Sequence, residues 1–179
     1  MRGFASIRKM WATLFAFGLA FATAAQNQPE VPPEIKSPAG EEVILRAHAK
    51  GVQIYSCQAG SDEKYAWALK APKADLYDDQ GKLIGTHFAG PTWKLNDGSE
   101  VTGKASAKHD APKAGAIPWL LVNVIGHKGT GLLEKATSIQ RVNTEGGVAD
   151  STKTCDASKN GTESESAYSA DYYFYAPKK

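Results

Sequence analysis

Apolar and polar residues alternate with a period of two along most of the chain after residue 40. The segment GVQIYSC alternates in this way, with Val52, Ile54 and Ser56 on one face and Gln53, Tyr55 and Cys57 on the other. In SADYYFY near the C-terminus, Ala170, Tyr172 and Phe174 oppose Asp171, Tyr173 and Tyr175. Alternating β-branched and aromatic residues are typical of strands with one buried face, so the pattern predicts β-structure.

Two segments depart from this alternation. The run IPWLLVNVIG is apolar almost without interruption from Trp119 to Ile125, which predicts a central strand covered on both faces. The segment from Gly131 to Ala136 is the one place where the pattern allows a helical turn.

Turn-forming residues separate the predicted strands. Asp78–Gly81, Asn96–Ser99 and Glu145–Gly147 each combine glycine with polar residues at the end of an apolar stretch. Short strands at this spacing predict an all-β single domain, either a sandwich or a closed barrel of mostly antiparallel strands, with at most one or two short helical turns. The sequence leaves the choice between sandwich and barrel open.

The N-terminal segments have a different character. Residues 1–25 combine basic residues, an uncharged apolar stretch and small residues at the end, which is typical of a secretory signal peptide cleaved near Ala24 or Ala25. The apolar stretch is too short for a transmembrane anchor. Residues 26–40 contain four prolines and form a predicted N-terminal arm, and residues 41–179 form the predicted all-β domain. We therefore expect a secreted or periplasmic protein.

Charge excludes one class of partner. The whole chain has a formal net charge of +2, but Arg2, Arg8 and Lys9 lie in the predicted signal peptide. Without them, 18 basic residues face 19 acidic ones, a net charge of about −1. A nearly neutral mature chain without basic clusters argues against nucleic acid as a partner.

The chain has two cysteines, Cys57 and Cys155. An exported protein reaches an oxidising compartment, where two cysteines are more often paired than free. The sequence therefore predicts a disulfide between them, with two separate buried thiols as the alternative.

Two candidate binding residues flank a rigid turn in the segment THFAGPTW. A histidine and a tryptophan, His87 and Trp93, lie on either side of Gly90–Pro91. Such a pair could contact a sugar ring or an aromatic compound. The alternative is a histidine at a strand end beside a core tryptophan.

A second candidate group combines charge with apolar surroundings. Arg141 alternates with Ile139, and Asp171 interrupts the aromatic alternation of the last strand beside Tyr173. Because a half-buried charge needs a partner, we expect Arg141 to pair with Asp171 on adjacent strands. Together with Tyr173, the pair would form either a structural contact or an anion- or sugar-binding surface.

Catalytic and cofactor motifs are weak. His87, Asp97 and Ser99 contain the residue types of a hydrolase triad, but the sequence has no G-x-S-x-G elbow. The histidines have no metal-ligand spacing, so we expect no metal. The glycines of GHKGTG lack a βαβ context, which argues against an NAD-dependent dehydrogenase, and we expect no cofactor.

Several strings together resemble one family. They are GVQIYSC, the run from Trp67 to Leu76, HFAGPTW, DGS, IPWLL, IQRVNTEGG and ADYYFY. The chain is similar over about residues 30–177 to secreted bacterial and fungal proteins grouped as domain of unknown function 3455. The resemblance places both cysteines at family positions, which supports the disulfide. It implies no activity and no catalytic residues.

Three functions remain open at this point. The first is an exported binding module for a small molecule, a glycan or an envelope component, using His87, Trp93, Arg141, Asp171 and Tyr173. The second is a secreted hydrolase that uses His87 with a carboxylate such as Asp97 or Asp171. The third is a purely structural envelope protein. The first is favoured, and the oligomeric state is open.

Overall fold

The chain folds into a closed β-barrel. The computed structural model describes residues 28–179, and the predicted signal peptide lies outside the described residues. Eight antiparallel strands follow one another around the barrel in chain order, and the first pairs with the last. Their bounds are β1 Glu41–Ala59, β2 Tyr65–Tyr77, β3 Leu83–Phe88, β4 Thr92–Leu95, β5 Glu100–His109, β6 Trp119–Lys128, β7 Ser138–Gly146 and β8 Glu163–Pro177. The prediction of an all-β domain is confirmed, and of its two architectures the barrel is observed.

The helical content of residues 28–179 is limited to short 3₁₀ turns. They lie at Pro33–Ile35, Leu132–Lys135 and Ala157–Lys159, against the one or two turns that the sequence predicts. The turn at Leu132–Lys135 lies inside Gly131–Ala136, the segment in which the pattern allows a helical turn. None of the helices in the described part has the length and apolar content needed to cross a membrane.

The barrel core is built from the inward-facing half of the strand alternation. On β1, Leu45, Ala47 and Ala49 face inward and are buried. On β8, the inward residues are Tyr168, Ala170, Tyr172 and Phe174. Small residues on β1 therefore face large aromatic residues on β8, which fills the narrow interior of an eight-stranded barrel.

The prediction that the apolar run of β6 is covered on both faces is wrong for the C-terminal part of the run. Val122 is buried in the barrel core, and Leu120 and Val124 pack against it. On the opposite face, Ile125 is 64% exposed. A barrel strand has only one face toward the core, so its outer face is covered only where another element packs on it. Trp119, at the start of β6, packs against the outer cluster of Val142, Tyr173 and Tyr175.

The N-terminal arm covers part of the outer surface of β7 and β8. Val142, Tyr173 and Tyr175 form a second apolar cluster there, against which Val31 of the arm packs. Ile35 is fully buried, and its carbonyl oxygen accepts a hydrogen bond of 2.6 Å from Nε2 of Gln140. The arm therefore packs on the barrel wall.

The short β3–β4 hairpin leaves an opening in the barrel wall. Strand β2 pairs with β3 only from Ala74 to Tyr77, and β5 pairs with β4 only from Glu100 to Thr102. Residues 65–73 of β2 and 104–109 of β5 extend beyond the hairpin with no strand between them in the described structure. These two strand segments border the mouth of the barrel.

Candidate functional site

A cavity of about 360 Å³ lies behind the mouth of the barrel. Its wall comes from β1, β2, the β3–β4 hairpin and the strands β5 to β8. The lining residues are Gln53, Leu69, Lys70, Ala71, Pro72, His87, Gly90, Pro91, Trp93, Gly103, Lys104, Ala105, Leu120, Val122, Arg141 and Tyr172. The cavity thus contains His87, Trp93 and Arg141, three of the five residues that the sequence analysis selects. Its size lies at the lower end of the range for small-molecule sites.

His87 is held as a neutral ring against Trp93. The imidazole and indole rings are stacked, with 4.3 Å between their centroids and 10° between their planes. Nδ1 of His87 lies 2.8 Å from the carbonyl oxygen of Thr92, which only accepts hydrogen bonds, so Nδ1 carries the proton and Nε2 presents a lone pair. Burial lowers the pKa of His87 to about 3, against the hydrogen bond to Thr92 and with a smaller contribution from Arg141. With this pKa, the ring is a poor proton acceptor near neutral pH.

Tyr172 completes the aromatic wall. Its ring meets the rings of His87 and Trp93 edge-on, at centroid distances of 5.2 and 5.5 Å. The Tyr172 hydroxyl is buried and lacks a hydrogen-bond partner within residues 28–179, and so do Nε1 of Trp93 and Nε2 of Gln53. A buried polar atom without a partner costs about 1–3 kcal/mol. Three such atoms therefore lie in side chains that line one cavity.

Arg141 brings a positive charge to the cavity. It pairs with Tyr172 in the β7–β8 ladder and faces the barrel interior, as Ile139 does. Its Nε and Nη2 donate to the carbonyl oxygen of Pro118, at 3.2 and 2.8 Å. No carboxylate of the described chain lies within ion-pair distance of this guanidinium. Burial raises the pKa of Tyr172, and the nearby charge of Arg141 acts against that rise.

The predicted ion pair between Arg141 and Asp171 is wrong, although their strands are adjacent. In the β7–β8 ladder, Asp171 stands opposite Val142 rather than Arg141. Successive side chains of a strand point to opposite faces, so Arg141 points inward while Asp171 points outward. The structure therefore separates Asp171 from the cavity.

Asp171 instead belongs to an ion network on the outer surface. It accepts hydrogen bonds from Arg46 Nη2 at 3.0 Å, from His48 Nδ1 at 2.6 Å and from Asn143 Nδ2 at 2.9 Å. On its other side, His48 contacts Asp79 through Nε2 at 3.0 Å. Burial would raise the pKa of Asp171, but the hydrogen bonds from Asn143 and Arg46 outweigh it and hold the pKa below its usual value. The carboxylate of Asp171 is therefore fully partnered within the network, whereas Nε of Arg46 is buried without a partner.

Tyr173 also lies outside the cavity. The guanidinium of Arg46 sits 5.5 Å from the centroid of its ring, within the range of a cation–π contact. Tyr173 also packs in the apolar cluster beneath the N-terminal arm. The tyrosine of β8 that lines the cavity is its neighbour Tyr172.

The residues of the hydrolase alternative are not assembled. Asp97 accepts hydrogen bonds from the hydroxyl of Ser99 at 2.6 Å and from the backbone N–H of Leu132 at 2.8 Å, which fixes the β4–β5 turn. This turn lies at the opposite end of the β3–β4 hairpin from His87. In the described chain, no carboxylate hydrogen-bonds to His87, and no cluster of histidine, cysteine and acidic residues is arranged to hold a metal ion.

The sequence analysis misses Gln53, Lys70 and Lys104 as cavity residues. Gln53 lies on an alternating strand, but nothing in the pattern shows which of its faces points inward. Lys70 and Lys104 lie on the two strand segments that border the mouth, and their proximity depends on the closure of the barrel. A signal existed only for Tyr172, which shares the apolar face of Ala170 and Phe174.

Of the comparisons with known proteins, the one with family sequence models finds a match. A family model described as "Protein of unknown function (DUF3455)" matches residues 38–176. This range runs from just before β1 to the penultimate residue of β8 and therefore includes every residue that lines the cavity. No curated protein and no solved structure matches the chain.

Proposed function

The chain belongs to the DUF3455 family, and we propose that it binds a small molecule in the cavity at the mouth of its barrel. The observation that carries this proposal is the position of Arg141, a cation in the barrel wall without an acidic partner in the described chain. A charge withdrawn from water is costly unless it is paired. A bound anion would supply the partner for Arg141 that the described chain does not provide.

The chemistry of the lining supports binding rather than catalysis. The residues that line the cavity include no serine, threonine, cysteine, aspartate or glutamate. A hydrolase of the kind considered above needs a carboxylate next to His87, and nucleophilic catalysis needs an activated side chain. The neutral, buried His87 is suited to pack against a ligand and to accept one hydrogen bond through Nε2.

We further propose that the protein works outside the cytoplasm. The composition of residues 1–25 supports export, with cleavage near Ala24 or Ala25. Cys57 and Cys155 form a disulfide in the structure, which fits an oxidising compartment. A binding module there would meet small molecules of the envelope or of the surroundings.

A blocked mouth tests the binding proposal. Ala105 lines the cavity at its exposed rim, so Ala105→Trp should fill the entrance without disturbing the core. Ala66→Trp places the same ring at an exposed position of β2 outside the cavity and serves as the matched control.

The probes are benzyl alcohol and benzoate, followed by NMR of backbone amides. We expect saturable shifts around Lys104, Leu120 and Val122, an affinity at least about tenfold weaker in Ala105→Trp, and no change in Ala66→Trp. If neither probe causes saturable shifts at the cavity, and the aliphatic probes octanoate and 1-octanol cause none either, the binding proposal fails and the structural role is favoured.

A further inference from the structure

We infer that the ligand is a small organic carboxylate, whose anionic head meets Arg141 and whose apolar body fills the aromatic end of the cavity. This inference rests on the proposed function and specifies its ligand class. It depends on the charge of the lining, the geometry of Arg141, the unpartnered donors and the apolar wall.

The charged residues that line the cavity all have one sign. They are Lys70, Lys104 and Arg141, and no acidic residue lines the cavity with them. Lys70 is balanced by an ion pair with Glu163 on β8. Lys104 and Arg141 have no acidic partner among the described residues. A cavity with two uncompensated cations favours an anion over a neutral or cationic ligand.

The guanidinium of Arg141 is held ready for a planar anion. Its two contacts with the carbonyl oxygen of Pro118 use one edge of the group, through Nε and Nη2. Nη1 takes no part in these two contacts. Arginine forms its strongest hydrogen bonds with carboxylates, which match its planar set of donors. A fixed guanidinium also loses little conformational freedom when the ligand binds.

The unpartnered atoms of the wall point to the same chemistry. Nε1 of Trp93 and Nε2 of Gln53 can only donate hydrogen bonds, and the hydroxyl of Tyr172 can donate one. These atoms are buried in the free protein, and a ligand that carries acceptor atoms would satisfy them when their side chains turn toward the cavity. A glycan presents many hydroxyl donors, and the lining provides no carboxylate to accept from them. The donor excess thus argues for an anion and against a glycan.

The remaining wall suits an apolar body. Leu69, Pro72, Leu120 and Val122 line the cavity beside the rings of His87, Trp93 and Tyr172. At about 30 Å³ for each water in the liquid, the cavity corresponds to roughly a dozen waters, or a ligand of about ten non-hydrogen atoms. Small aromatic and medium-chain aliphatic carboxylates have this size.

Isothermal titration calorimetry on the protein lacking residues 1–25 tests the inference with two matched pairs of probes. Benzoate is compared with benzyl alcohol, and octanoate with 1-octanol. We expect each carboxylate to bind at least about tenfold more tightly than its neutral counterpart, with an affinity that decreases as the salt concentration rises. The difference between benzoate and octanoate separates an aromatic from an aliphatic body.

Arg141→Gln removes the charge but keeps a donor for Pro118, and it should abolish the preference for each carboxylate over its matched alcohol. Arg141→Lys keeps the charge and should retain part of the preference. Lys108→Gln removes an exposed cation of β5 outside the cavity, and it should change neither the affinity for the carboxylates nor that for the alcohols. Thermal melting of each variant verifies that it is folded.

The outcomes distinguish the two proposals. If alcohols and carboxylates bind equally well, the carboxylate inference is overturned while the binding function stands. If the preference persists in a folded Arg141→Gln variant, the assignment of Arg141 is overturned. If none of the four probes binds, the binding function itself fails.

Discussion

At the scale of single residues, His87 shows how the barrel interior sets the chemistry of a side chain. The ring stacks on Trp93, meets the edge of Tyr172 and donates to a backbone carbonyl, so its contacts are those of an aromatic core residue. Burial disfavours the imidazolium form, and the nearby cation Arg141 adds to this effect. A histidine in this environment contributes shape and one lone pair, and its charge state is fixed.

The stability of the protein should depend on pH through His87. The unfolded chain takes up a proton on this residue near 6.5, whereas the folded protein does so only near 3. Between these values the unfolded state binds more protons, so the free energy of unfolding decreases as pH falls, by at most about 1.4 kcal/mol per pH unit. Above pH 6.5 the full contribution of the neutral ring is present.

Urea denaturation at pH 7, 5.5 and 4.5 measures this dependence. His87→Phe keeps a ring on Trp93 but cannot titrate, so its free energy of unfolding should decrease less steeply over this range. An NMR titration of the His87 ring in the folded protein with a midpoint near 6.5 would contradict the expectation.

At the scale of elements, close contact between β1 and β2 requires a glycine at position 51. A Cβ at Gly51 would lie 2.2 Å from the carbonyl oxygen of Lys73 and 2.5 Å from Cα of Ala74, both backbone atoms of β2. Backbone atoms in a paired strand cannot move aside without breaking the ladder. At Gly126 on β6, by contrast, the atom nearest to an added Cβ would be 3.8 Å away.

Gly51→Ala should therefore destabilise the protein, and Gly126→Ala is the matched control. For Gly51→Ala we expect a loss of about 1–3 kcal/mol or more in the free energy of unfolding, as for overpacked cores. For Gly126→Ala we expect no loss, because the reduced freedom of the unfolded chain favours alanine. Equal melting temperatures for the two variants would show that β1 and β2 can separate.

The strands and turns could be read from the sequence because they depend on neighbouring residues. Alternation locates the strands, and the glycine-containing turns at Asp78–Gly81 and Asn96–Ser99 do separate strands in the structure. The sequence could not show whether both faces of β6 are buried, because an apolar run looks the same in a buried central strand and in a barrel strand with an apolar outer surface. Closure of the barrel depends on pairing between β1 and β8, which lie at opposite ends of the domain.

The site was predictable only in part, for a related reason. His87 and Trp93 are close in sequence, and their hairpin brings them together locally. The cavity around Arg141 is built from all seven other strands of the barrel. The predicted pairing with Asp171 required the two side chains to share a face. The alternation of β8 already places Asp171 on the other face of the strand from Ala170 and Phe174, which are core residues. The face of Ile139 is also the core face, so the sequence held the information that separates the two charges.

At the scale of the whole molecule, the disulfide ties a long loop to the barrel. Cys57 at the end of β1 is fully buried, and it is bonded to Cys155 in the segment between β7 and β8. The same segment is held by a hydrogen bond of 3.0 Å from Nε1 of Trp67 to the carbonyl oxygen of Lys153. The disulfide links positions 98 residues apart, so it strongly restricts the conformations of the unfolded chain.

Loss of the disulfide should lower the free energy of unfolding by about 2–5 kcal/mol. The double variant Cys57→Ala, Cys155→Ala should melt at a lower temperature than the oxidised protein, and added reductant should lower the melting temperature of the parent but not of the variant. Alkylation of both cysteines in the folded protein without reductant would show that the bond is absent in solution.

The shortness of the β3–β4 hairpin separates the height of the wall at the mouth from the strand pairing that closes the barrel. The hairpin strands have six and four residues, whereas β1 and β8 have 19 and 15 and provide the first and last strands of the closed barrel. Insertions at a surface turn such as Gly90–Pro91 cost little in loop-closure entropy, because that cost grows slowly with loop length. Under the binding proposal, a longer hairpin would raise the wall at the mouth and change which molecules enter, while the pairing that closes the barrel stays the same.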